Sequence, residues 1–353
     1  MTRLPARDPN PVARATALAY LTFECPDLQR ARSFLVDFGL RPVEESRDHL
    51  YLRNAGSSPF CCVIRLAERP SFVGLAFTVS TRDELEALSQ VDGASPIEPI
   101  RGPGGGERTQ LIDPSGFVVD AVHGRGESPP LETREALPIN TPHRAARIDA
   151  GQRPLLEPPT VTKLGHAVLE VARFADTCAW YTRHFGLIPS DVQVLPDGVP
   201  AVAFFRLDRG EVPADHHTLA VAQGFKAGFG HCAYEVIDAD AVAMGQRYLR
   251  ERGWRHEWGM GRHILGSQVF DYWSDPWGHK HEHYCDGDLF TSELPMGVHP
   301  VSRGAMSQWG PSMPRSFTRP ELSASNLSAL VRNLRESPDV TPRTLYQLLK
   351  TFG

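Results

Sequence analysis

The feature that most constrains this 353-residue chain is that it repeats itself. Residues 18–42 and 164–189 both read as an alternating strand, a polar turn, an amphipathic helix and a Phe-Gly-Leu step, at Phe38-Gly39-Leu40 and Phe185-Gly186-Leu187. Glycine at that step suits a left-handed helix end. Further on, residues 74–88 parallel residues 231–249 as a strand running into a helix. Residues 111–122 parallel 272–284 as strand, Asp-Pro-x-Gly turn and strand. Each half therefore contains two β-α-β-β-β modules, four in all, and duplication accounts for a length too great for one ordinary domain. The expected fold class is α+β: two homologous domains, each a curved mixed sheet around a central pocket. Their expected boundaries are 17–124 and 161–288, with an N-terminal tail (1–16), a linker (125–160) rich in proline and charge, and a C-terminal extension of short helices (289–353). That extension is expected to pack on the second domain or on another subunit.

Aligning the halves shows where chemistry can reside. His166 stands where the first half has Tyr20, and His231 where it has Gly74. Glu282 lies seven residues past Asp275, as Asp120 lies seven past Asp113. One histidine in a strand is ordinarily a satisfied core residue. Two histidines and a carboxylate at matched module positions, in one half only, are a candidate metal triad. Two imidazoles and one carboxylate with open positions beside them is a pattern associated with non-haem Fe(II). Neighbouring strand residues face opposite sides, so in His281-Glu282-His283 only Glu282, the counterpart of Asp120, is expected to face the metal. His281 and His283 are expected at a surface or interface, and His184, His256 and His279 at the surface. The glycine-rich run Gly102–Gly106 lacks the Gly-Lys-Ser/Thr of a phosphate loop and falls where the second half has His263.

The order Gly261, His263, Tyr272, Asp275, Pro276, Gly278, Glu282 gives the resemblance its specificity. From residue 161 to 285 the chain resembles the catalytic domain of the type I extradiol ring-cleavage dioxygenases, the group of catechol 2,3-dioxygenase and 2,3-dihydroxybiphenyl 1,2-dioxygenase in the vicinal oxygen chelate superfamily. Residues 17–124 resemble that family's non-catalytic domain. One departure is Asp271 where the family usually has an apolar residue, with its effect expected on the outer face of the strand. The resemblance implies His166, His231 and Glu282 as ligands of Fe(II), with Mn(II) accepted by the same set. It implies His217, from the segment Asp215-His216-His217-Thr218, as acid/base, and His263 and Tyr272 as hydrogen-bonding partners of the substrate. On an alternating strand only one of His216 and His217 can enter the pocket. The tryptophans at 254, 258, 273 and 277 suggest a water-poor pocket.

The implied reaction is ring cleavage of a catechol-type aromatic beside its diol by O2, giving a semialdehyde or oxo-acid, as in aromatic degradation. The alternatives are a glyoxalase-like metal-dependent lyase or isomerase on the same scaffold, and a non-enzymic small-molecule-binding protein. A formal charge of −5 offers no basic field for nucleic acid. No 18-residue apolar run suggests a membrane span, and the N-terminus lacks the apolar stretch of a secretory signal. Six scattered cysteines without a CxxC pair indicate neither a zinc ribbon nor a disulfide framework. A cytoplasmic location and, by resemblance, a homo-oligomer are expected.

Overall fold

A computed structural model describes residues 4–318 and 323–352. Residues 1–3 of the tail and 319–322 and 353 of the extension lie outside the described residues. The first half runs β1 (Ala15–Cys25), α1 (Leu28–Asp37), β2 (Arg41–Glu45), β3 (His49–Arg53), β4 (Cys62–Leu66), β5 (Ser71–Val79), α2 (Arg82–Ser89), β6 (Glu98–Pro99), β7 (Glu107–Ile112) and β8 (Val118–His123). The second runs β9 (Val161–Val171), α3 (Phe174–Phe185), β10 (Ile188–Val194), β11 (Pro200–Arg206), β12 (Ala214–Asp215), β13 (Leu219–Gln223), β14 (Gly228–Val236), α4 (Ala239–Glu251), β15 (Arg255–Arg262), β16 (Val269–Ser274) and β17 (Lys280–Cys285). The β-α-β-β-β module thus recurs four times, with β12 as a two-residue insertion. The fold is the α+β duplication expected from the repeat.

Each half forms one mixed sheet. The first has the order β2-β3-β4-β1-β5-β8-β7-β6, and the second β15-β16-β17-β14-β9-β13-β11-β10, extended by β19 (Gly297–Pro300). In both, the first strands of the two modules pair antiparallel at the centre, β1 with β5 and β9 with β14. Side-chain alternation then gives each sheet one inner face and one face turned to helices. The Asp-Pro-x-Gly turns close alike, Gly116 N–H donating to Asp113 O at 2.9 Å and Gly278 N–H to Asp275 O at 3.1 Å.

The halves hold each other through their first helices. Phe34 of α1 and Phe38 at its C-cap pack edge-on against Trp254 and Tyr234, while Phe185 of α3 packs on Phe77. Burying an aromatic side chain of this size contributes roughly 1.5–3 kcal/mol. Polar bonds orient the same contacts: the Trp254 indole donates to Asp37 at 2.8 Å and the Tyr181 hydroxyl to Asp113 at 3.1 Å. Gly39 has φ +109, and a Cβ there would lie 2.0 Å from Pro159 O, so only glycine lets the end of α1 meet the chain entering β9. All six cysteines are buried and unpaired.

Residues 125–160 form no helix or strand and lie mostly exposed. Arg134 anchors them with two 2.7 Å bonds to Asp238, whose carboxylate also caps α4 through Ala241 N–H. The C-terminal extension packs on the second half. After β18 (Leu289–Phe290), which pairs with β12, it adds β19 parallel to β10 and then forms α5 (Arg315–Thr318), α6 (Ala324–Glu336) and α7 (Pro342–Phe352). The buried Arg206 guanidinium donates to the carbonyls of Thr291, Ser292 and Leu294, clamping the extension to the sheet. The start of α3 has no side-chain cap of its own; Asp339 from the extension accepts from Ala175 N–H at 3.0 Å instead.

Candidate metal centre

Strand register brings the three sequence-matched positions together. Ala233 of β14 pairs with His166 of β9 on one side and with Glu282 of β17 on the other. His231, two residues back on β14, shares the face of Ala233. One ligand atom from each of His166, His231 and Glu282 lies within 4.8 Å of the other two. His166 Nε2 and His231 Nε2 both stand 3.3 Å from Glu282 Oε2, and His263 Nε2 stands 3.6 Å from Oε1.

The electrostatics of this group are those of a cation site. Glu282 is fully buried, and its oxygens meet histidine ring nitrogens at 3.3, 3.3 and 3.6 Å without a well-formed hydrogen bond to either. A buried carboxylate without partners is costly unless a positive charge compensates it. Burial opposes its ionisation, and the imidazoles of His166, His231 and His263 outweigh that, holding the carboxyl well below its usual range. His231 is pushed down to about 4 by burial, so its imidazole is neutral and has a lone pair to offer. The donor set therefore fits a divalent metal ion, with two imidazole nitrogens and one carboxylate converging from three strands of one sheet. The remaining exposure is on His231 (14%) and His263 (13%), which marks the open side.

Tyr272 sits opposite Glu282 in the β16–β17 pairing. Its hydroxyl is 2.9 Å from His263 Nε2, and His263 Nδ1–H donates to Met306 O at 2.8 Å. A carbonyl can only accept, so in the neutral ring Nε2 accepts from the tyrosine. Burial, then the Glu282 charge, pushes the Tyr272 hydroxyl well above its usual range. Trp258 stacks on Tyr272 with ring planes 7° apart, and Phe317 of α5 packs edge-on from the extension. Trp258 Nε1–H donates to Pro311 O at 2.7 Å, which ties that wall down. Of the four tryptophans singled out in the sequence, only Trp258 packs on Tyr272 and His263. Trp254 lies between the halves, and Trp273 donates to Asp271 on the far face of β16.

His217 packs on His166 with ring centroids 4.0 Å apart and is fully buried; burial first, then the neighbouring His166 and His216, holds it well below the usual imidazole range. Residues 216–218 bend rather than extend, so the alternation argument does not apply to them. Both rings are buried and meet edge-on, but only His217 lies against His166, while His216 turns to Asp191.

Other sequence expectations are refined or overturned. His281 and His283 face away from Glu282, and the interface they meet is the seam between the halves. His283 stacks on Phe38 at 3.7 Å and its Nε2–H donates to Phe38 O at 2.7 Å, and burial pushes His283 and His281 down to about 3 and about 4. His184 is likewise buried, bonded to Trp180 O, and His256 and His279 are partly buried, each against an aspartate. Asp271 does lie on the outer face of its strand, but α4 covers that face, and Gln246, His256 and Trp273 satisfy the carboxylate. The roles of Met306 and Phe317 had no signal in the sequence, because the extension has no counterpart in the first half.

Comparison with known proteins follows the same lines. Residues 163–282 match the Glyoxalase/Bleomycin resistance protein/Dioxygenase superfamily. The matched residues include all three of His166, His231 and Glu282. The chain is similar to metapyrocatechase 2 of Cupriavidus necator, 29% identical over 314 residues that cover 86% of this chain and 91% of that one. In structure it resembles homoprotocatechuate 2,3-dioxygenase from Arthrobacter globiformis, with a TM-score of 0.72 at 20% identity, covering 92% of this chain and 98% of the other. A Mn(II)-bound glyoxalase from Novosphingobium aromaticivorans has the same fold, with a TM-score of 0.71 at 22% identity over 88% of this chain and 97% of that one. No helix among the described residues is long and apolar enough to cross a membrane.

Proposed function

We propose that this protein is a metal-dependent extradiol dioxygenase that opens a catechol-type ring beside its diol. The observation that carries the reading is the buried, unpartnered Glu282 facing two histidines, with His217, His263 and Tyr272 grouped around them. His166, His231 and Glu282 would hold Fe(II), the same set also accepting Mn(II). A metal held there would supply positive charge that lowers the pKa of a substrate hydroxyl and would offer open positions for substrate and O2. Both oxygen atoms end in the product, so no external reductant is consumed.

The residues of the chain supply the rest. His217, neutral and buried against His166, takes a proton from a substrate hydroxyl and returns it as the ring opens, a role worth roughly 10²–10⁴-fold in rate. Tyr272 turns its hydroxyl proton from His263 Nε2 to a substrate oxygen, and His263, braced at Nδ1 by Met306 O, steadies the negative charge that develops there once it carries a proton on Nε2 as well. Trp258 and Phe317 keep water from that side. The glyoxalase-like reading shares the fold, so the fold does not separate the two. The set His217, His263 and Tyr272 beside a triad drawn from one half favours oxygen chemistry, and a non-enzymic binding module has no need of the triad.

The test is oxygen uptake after anaerobic Fe(II) loading, with catechol, 3-methylcatechol and 2,3-dihydroxybiphenyl, while the yellow ring-opened product is followed. Uptake in step with colour, absent in Glu282→Ala, is the expected result. One tightly bound metal per chain with no uptake on any diol moves the assignment to the lyase or isomerase. No bound metal at all removes both.

A further inference from the structure

Behind His217 runs a chain of hydrogen bonds that leads out of the site. His217 Nδ1 lies 2.9 Å from His216 Nδ1, His216 Nε2 lies 2.6 Å from Asp191 Oδ2, and Asp191 Oδ1 accepts from His299 Nε2–H at 2.8 Å. His216 is 1% exposed, whereas the His299 side chain is 43% exposed. Asp191 belongs to β10 and His299 to β19, so the extension strand completes the series.

Two glycines hold the space for it. A Cβ on Gly297 would lie 2.1 Å from Asp191 Oδ1 and 2.6 Å from His299 Nε2; one on Gly266 would lie 3.1 Å from His216 Nδ1. Burial alone would raise the Asp191 carboxyl, but the bonds from His216 and His299 prevail and keep it below the usual range, so it is an anion able only to accept.

We infer that Asp191 and His216 are positioning residues that fix the proton of His217 on Nδ1 and leave its Nε2 bare as the base. The inference rests on the role given to His217 above. The carboxylate requires a proton on His216 Nε2. A His216 carrying that one proton has only a lone pair at Nδ1, so the 2.9 Å contact then needs a donor, and that donor is His217 Nδ1–H. In the neutral ring of His217 the lone pair is left on Nε2. Proton transfer then breaks the substrate O–H bond and forms Nε2–H, and the same bond breaks when the proton is returned.

The tautomers are directly measurable. Full-length, metal-free protein carrying ¹⁵N-histidine is examined by long-range ¹H–¹⁵N correlation, with His216→Asn and His217→Asn for assignment. The expected pattern is a protonated Nδ1 and bare Nε2 on His217, and the reverse on His216. Asp191→Ala should scramble both patterns and, in the metal-loaded enzyme, lower kcat about 10- to 100-fold with KM changed less than about threefold. His217 protonated on Nε2, or patterns indifferent to Asp191→Ala, would overturn the inference. Should the variant fail to fold, the wild-type spectrum decides alone. Because that spectrum needs neither metal nor turnover, the expected tautomers without oxygen uptake would sink the dioxygenase reading and leave the network standing.

Discussion

The inner faces of the two sheets carry the same geometry and opposite chemistry. Tyr20 and Asp120 flank Ala76 in the first half as His166 and Glu282 flank Ala233 in the second. In the first half the Tyr20 hydroxyl donates to Asp120 at 2.6 Å, Arg108 donates to the same oxygen at 3.1 Å, and Gln110 donates to the other at 2.9 Å. The carboxylate is satisfied from within, and a guanidinium supplies the positive charge. Gln110 pairs with Asp120 as Tyr272 pairs with Glu282, so even the neighbour has been exchanged in register. In the second half the bonds to the carboxylate are missing. What sets the two cups apart is an acid left without hydrogen-bond partners, more than the mere presence of histidine.

The largest effect belongs to Glu282→Gln, which should abolish tight metal binding and turnover together, read by metal content and oxygen uptake. Asp120→Asn should keep one metal per chain, and loss of that metal would break the comparison. Reversal should fail too: Tyr20→His, Gly74→His and Asp120→Glu combined are expected to yield no second metal equivalent. A Cβ at position 74 would lie 1.8 Å from Val118 O, so the first half has no room for a counterpart of His231. Next, His217→Asn should cost roughly 10²–10⁴-fold in kcat with metal retained. Asp120→Asn itself should cost about 1–3 kcal/mol in urea unfolding, because Arg108 loses its buried counter-charge.

The smallest effect tests the tie between linker and second half. Asp238→Ala removes a helix cap and the partner of Arg134, for about 1–2 kcal/mol. Burial raises the Asp238 carboxyl, but its bonds from Arg134, Leu137 N–H and Ala241 N–H win and depress it below the unfolded value. A depressed carboxyl contributes stability that is complete above the unfolded pKa of about 4 and lost as pH falls through the folded value. The wild type should therefore lose this increment below about pH 4, and the variant should lack that part of the acid slope.

Whatever is duplicated was legible in the sequence. The modules, the turns and the positions of His166, His231 and Glu282 can be read by laying one half on the other. Parity separated Glu282 from His281 and His283, but could not say that the opposite face meets α1 instead of water, because that depends on how the halves dock. Asp191, His299, Met306 and Phe317 left no trace. Asp191 reaches His216 across 25 residues, Met306 reaches His263 across 43, and His299 reaches Asp191 across 108; Phe317 likewise packs on Tyr272 from the extension, and the extension that supplies three of the four has no copy in the first half against which to be compared.

The wall over Tyr272 and His263 comes from residues 306–317, after every residue of the triad in the sequence. During synthesis His166, His231 and Glu282 emerge before the segment that will wall Tyr272 and His263 has emerged. At about 5–20 residues per second that interval lasts on the order of seconds. The order of translation thus presents the candidate centre first and adds the wall beside it afterwards.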